Sequence, residues 1–122
     1  MKNTSHYFII ISAFLLFSIS ANCRANETER KFVEAGLINV HDIDKTIKVN
    51  LVNSNPDNNF FRENYYNGLK HAYLRKEVAK KLSRAQKYLK SQFPEYSILI
   101  MDAARPRKVS QLIKRDALHY YS

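Results

Sequence analysis

Cysteine is almost absent: 122 residues hold one, Cys23. A single thiol cannot build an intramolecular disulfide framework. Only two glycines and three prolines occur. That scarcity excludes collagen-like and linker-like chains. No Gly-rich phosphate loop can be found either. Acidic residues are also few, 11 against 20 Lys and Arg, which leaves a net charge of +9. A basic surface attracts nucleic acid, anionic lipid or an acidic wall polymer without choosing among them. What is present is ordinary for a globular chain, 45% hydrophobic and 25% charged. That balance argues against wholesale disorder and against a polytopic membrane protein. The length allows one domain at most.

The amino terminus reads as an address. Lys2 is followed by a nearly continuous apolar run over residues 7–17, and residues 18–25 are small or polar. A charged start, an apolar stretch of roughly 7–15 residues and small residues at a cleavage site make a secretory signal. The expected signal is 1–25, cut after Ala25. An uncleaved anchor is the alternative, but a span needs about 20 apolar residues. Cys23 raises a lipoprotein reading, which the preceding Ser20-Ala21-Asn22 disfavours. Export to the periplasm or extracellular space is therefore expected. Cleavage would leave 26–122 with no thiol. The basic residues lack the interleaved stacking aromatics of a recognisable RNA-binding module, so no nucleic-acid partner is expected.

Residues 26–31 read as a loose, charged lead-in, and Gly36 as a turn. Ile47, Val49 and Leu51 alternate with Lys48 and Asn50, the period of a strand with one buried face. Residues 53–59 are rich in Asn with Pro56, which favours turns. Phe60-Phe61 and Tyr65-Tyr66 follow and are expected to pin this loop to the core. The clearest helix spans about 75–92. Val78, Leu82, Ala85 and Leu89 form its apolar stripe, with Lys76, Lys80, Arg84 and Lys87 opposite. Pro94 ends it. Residues 96–101 read as a short, largely buried strand. A second helix is expected near the C-terminus, about 108–120, with Val109, Leu112 and Ile113 inward. These elements predict an α+β domain of short strands.

Chemistry points to the strand end, Asp102-Ala103-Ala104-Arg105-Pro106. Arg105 is permanently cationic and suited to a carboxylate or a developing oxyanion. Asp102, three residues earlier, can orient the guanidinium. The same pair could equally be an ion pair that closes a turn. No nucleophile has an evident base. His6, His41, His71 and His119 show no zinc-ligand spacing. His41, Asp42 and Asp44 are not expected to share a metal, because adjacent residues on an extended segment point to opposite faces.

An ordered series of segments carries a family likeness. It runs through Gly36-Leu37-Ile38-Asn39-Val40, Ile43-Asp44 and Ile47-Lys48-Val49-Asn50-Leu51. It continues with Asn59-Phe60, Ala72-Tyr73-Leu74-Arg75, Glu77-Val78-Ala79 and Leu82 through Ala85-Gln86. The strongest piece is Asp102-Ala103-Ala104-Arg105-Pro106 after an apolar strand. Together these cover about residues 36–111. The series resembles the amino-terminal portion of the zinc D-alanyl-D-alanine dipeptidases of the VanX type.

The resemblance implies an incomplete DD-peptidase-like domain over 26–122 and a role in cell-wall metabolism. It makes Arg105 the transition-state stabiliser in hydrolysis of the D-Ala-D-Ala dipeptide, with Asp102 orienting it. The family's zinc ligands and catalytic glutamate lie in Ser-x-His-x-x-Gly-x-Ala-x-Asp and Glu-x-x-His segments, and neither occurs here. Phe61-Arg62 also stand where the family carries a glycine after its Asn-Phe pair. The expectation is an inactive chain that holds no cofactor by itself, with zinc belonging to the complete family. A complementing C-terminal chain could restore the centre. The alternative is a small exported noncatalytic protein that binds anionic wall or membrane surfaces.

Overall fold

Residues 27–121 are described in the computed structural model of this protein; the expected signal 1–25, with Cys23 and the cut after Ala25, lies outside them. Residues 27–34 are helical (α1) rather than a loose lead-in. Two i,i+4 ion pairs support this turn, Lys31 Nζ to Glu27 Oε1 at 2.7 Å and Arg30 Nη1 to Glu34 Oε1 at 3.5 Å. Phe32 fixes it to the body, its ring 5.4 Å from that of Tyr73. Gly36 then turns the chain with φ of 78°, a backbone that favours glycine.

Two small sheets follow. β1 (Leu37–Asn39) pairs antiparallel with β3 (Tyr73–Arg75), Ile38 opposite Leu74. β2 (Lys48–Val49) pairs parallel with β4 (Leu99–Ile100). Single bonds prolong that second ladder, from Lys48 N to Ile98 O and from Val52 N to Met101 O. The predicted alternation around β2 holds, since Ile47 and Leu51 are buried. The strand at 96–101 is shorter and less buried than expected. Only Ile100 is in the core, while Leu99 is 49% exposed. Alternate residues of β4 face opposite sides, and one side is packed.

Between β2 and β3 the chain makes two single turns of 3₁₀-helix, Val52–Ser54 and Pro56–Asn58. Asn55 caps the second by accepting from Asp57 N at 3.0 Å. Tyr65 and Tyr66 are buried and Phe61 packs beside them, so they pin this loop as expected. Phe60 does not: it is 67% exposed.

α2 spans Lys76–Gln92, with Arg75 as its N-cap and no side-chain cap bond. α3 spans Arg107–Tyr121 and turns Val109 into the core. The whole is a mixed α+β arrangement. Its core joins Val40, Ile47, Leu69, Ala72, Ile100 and Val109 from elements far apart in sequence.

α2 is rotated from its expected orientation. The residues it buries are Ala79, Ser83 and Gln86. Of the apolar stripe, Leu82 and Leu89 are half-buried, while Val78 and Ala85 face solvent. Polar pairing explains the rotation. Ser83 Oγ donates to Asp44 Oδ2 at 2.9 Å. The Gln86 amide donates to Thr46 O at 3.0 Å and accepts from Ile98 N at 2.8 Å. Gln86 is 1% exposed, so its amide satisfies backbone groups at the entry to both strands of the parallel sheet.

Candidate functional site

β4 delivers the chain to Asp102 at the rim of the parallel sheet. Two main-chain N–H groups hold the turn: Ala103 N donates to the Asp102 carboxylate at Oδ1, 3.0 Å, and Ala104 N donates to Tyr73 O at 3.0 Å. Pro106 stands immediately before α3, and its carbonyl accepts from Val109 N at 3.0 Å and Ser110 N at 3.2 Å. The segment is thus fastened at both ends.

Asp102 and Arg105 are brought together as expected, Arg105 Nη2 donating to Asp102 Oδ2. A third residue completes the group. Tyr66, buried in the loop before β3, donates its hydroxyl to Asp102 Oδ1 at 2.6 Å. The same hydroxyl oxygen accepts from Arg105 Nε at 3.2 Å. Asn53 Nδ2 reaches Asp102 Oδ2 at 3.4 Å. The pattern of the sequence marks Tyr66 only as a pinning aromatic. Its hydroxyl lies 36 residues from Asp102 along the chain, and nothing local signals the meeting.

These contacts shape the electrostatics. Burial alone would raise the Asp102 carboxyl, but the bonds from Tyr66 and Arg105 and the nearby positive charge outweigh it and hold the carboxyl below its usual range. Burial first, then the bond to Asp102, pushes the Tyr66 phenol up to about 12. The bond to Asp102 keeps Arg105 still more firmly protonated. At neutral pH the cluster is therefore one carboxylate, one neutral phenol and one cation.

Arg105 has a free side. Nε and Nη2 are engaged, while Nη1 makes no hydrogen bond among the described residues, and the side chain is 34% exposed. A guanidinium offers five N–H donors in a planar fork. Two are spent on orientation, and three make no hydrogen bond among the described residues. The group can hold a carboxylate, a phosphoryl oxygen or an oxyanion, but it offers no nucleophile.

Protein-family models, curated proteins and solved structures show no match to this chain.

Among the described residues no three His, Cys, Asp or Glu side chains converge on one point. His41 Nε2 lies 2.8 Å from Ile47 O and therefore donates to it, and His71 Nδ1 lies 2.8 Å from Glu29 Oε1. Asp44, near His41 in sequence, is committed to Thr46 and Ser83. A cleft of about 380 Å³ opens between the 61–67 loop and α3, beside Tyr65, Arg115 and Asp116. Arg105 does not line it.

Proposed function

We propose that this chain carries the arginine-bearing, amino-terminal portion of a D-Ala-D-Ala dipeptidase-like hydrolytic centre. The supporting observation is Arg105 held between Tyr66 and Asp102 with Nη1 open. A cation fixed before reaction suits charge that develops during it, because no reorganisation is needed at that moment. Asp102 and Tyr66 are positioning residues. They set the plane of the guanidinium and do not touch the reacting atoms.

The same geometry argues that these residues do not hydrolyse the dipeptide alone. Tyr66 stays protonated, and both oxygens of Asp102 are occupied by donors, which weakens it as a base. Water activation has to come from elsewhere. In this reading the metal-holding half comes from outside residues 27–121, and the expected export puts the centre outside the cytoplasm, beside cell-wall D-Ala-D-Ala.

Incubating the purified chain with zinc and D-Ala-D-Ala, and measuring free D-alanine, tests the division. The expected release is no greater than in buffer. Release that disappears in Arg105→Ala would overturn it, because the described residues would then be a complete centre.

A further inference from the structure

α2 has two contrasting outer surfaces. Five exposed cations, Lys76, Lys80, Lys81, Arg84 and Lys87, lie on it with a single acid, Glu77. None of the five forms an ion pair among the described residues. Because polar Ser83 and Gln86 occupy the buried side, apolar residues are displaced outward. Val78, Lys81, Ala85 and Tyr88 follow one another by three or four residues, so they share one face, and all are exposed. Val78 is 46% and Tyr88 71% exposed. Phe93 and Tyr96, also exposed, follow just past the helix, their rings 6.0 Å apart.

Cations alone suit any polyanion. Cations beside exposed aliphatic and aromatic side chains suit an anionic surface with hydrocarbon beneath it. Among the described residues no helix is long and apolar enough to cross a membrane. A helix of this type lies along the interface, its basic chains reaching headgroups and its apolar ones entering the boundary layer. We propose that the outer face of α2 docks this protein onto anionic lipid. Val78, Ala85 and Tyr88 enter the interface, and Lys80, Lys81, Arg84 and Lys87 meet the headgroups. This surface shares no residue with the Arg105 group, so either reading can fail without the other.

The chain has no tryptophan, so Tyr88→Trp in the full chain is a unique optical reporter on this face. The probes are vesicles of phosphatidylcholine, with or without phosphatidylglycerol. Expected are a blue shift and protection from acrylamide with the anionic vesicles only, both reversed by salt. Adding Lys80→Glu, Arg84→Glu and Lys87→Glu should weaken the response by roughly a hundredfold, with circular dichroism unchanged. Sedimentation with vesicles while the reporter stays in water would overturn the proposal, since another segment would then hold the lipid. Binding to soluble polyglutamate as tight as to vesicles, with no blue shift on either, would overturn it in favour of a wall polymer.

Discussion

The Tyr66 hydroxyl donates to Asp102 at 2.6 Å while its oxygen accepts from Arg105 Nε at 3.2 Å, so one buried phenol fixes both halves of the ion pair. An i,i+3 pair at a turn would otherwise swing with the backbone. The buried ring ties it to the core. This separates a held cation from an ordinary surface salt bridge, which contributes about 0–1 kcal/mol.

Tyr66→Phe should keep the ring packing and lose the bridge. We expect a stability loss of about 1–2 kcal/mol in urea denaturation. The Asp102 carboxyl should titrate closer to its ordinary value when followed by carbon NMR. An unchanged Asp102 titration would show that Arg105 alone orders the pair.

The pH limbs have opposite signs. Asp102 is held low in the folded state, so its contribution is present above the unfolded value near 3.9 and is lost as pH falls through the folded value. Asp102→Asn should therefore be less stable at neutral pH by about 1 kcal/mol, since solvent reaches the pair. The deficit should close in acid. Tyr66 is held high, so its contribution is present below about 10 and is lost as pH rises toward about 12. Alkaline difference absorbance should show one fewer late-titrating tyrosine in Tyr66→Phe.

Gln86→Leu should be among the most damaging single changes on α2. It strips partners from Thr46 O and Ile98 N and puts an apolar group where a 1% exposed amide had bridged them. The expected cost is about 2–4 kcal/mol by thermal or urea unfolding. Val78→Ser, at a position the apolar periodicity assigns to the core, should cost about 0.5 kcal/mol or less. A reversed ranking would place the helix on its apolar stripe after all.

That contrast shows what the sequence made legible. The succession β2, α2, β4 and α3, the turn at Gly36, the stop at Pro94 and the packing of α3 through Val109 follow from local rules, whereas β1 and β3 are too short to show a period of their own. Local rules also give the meeting of Asp102 and Arg105, which are three residues apart. The rotation of α2 was hidden because periodicity weighs hydrophobicity, whereas Ser83 and Gln86 are buried by hydrogen bonds to segments 39 and 40 residues away. α1 was hidden because a short charged segment reads as a loop; the i,i+4 spacings of Glu27 with Lys31 and Arg30 with Glu34 were the signal that could have found it. Tyr66 was read correctly as an anchor, but its hydroxyl role depends on a fold-level approach.

The most direct test of the central claim follows the Arg105 guanidinium by nitrogen NMR while two ligands are added, D-Ala-D-Ala and a tetrahedral phosphinate analogue of it. The account predicts that the phosphinate perturbs Arg105 and binds more tightly than the planar peptide, as a site shaped for an oxyanion should. It also predicts that Tyr66→Phe weakens this response. Arg105 signals that ignore the phosphinate, or respond equally to both ligands and to chloride, would contradict it.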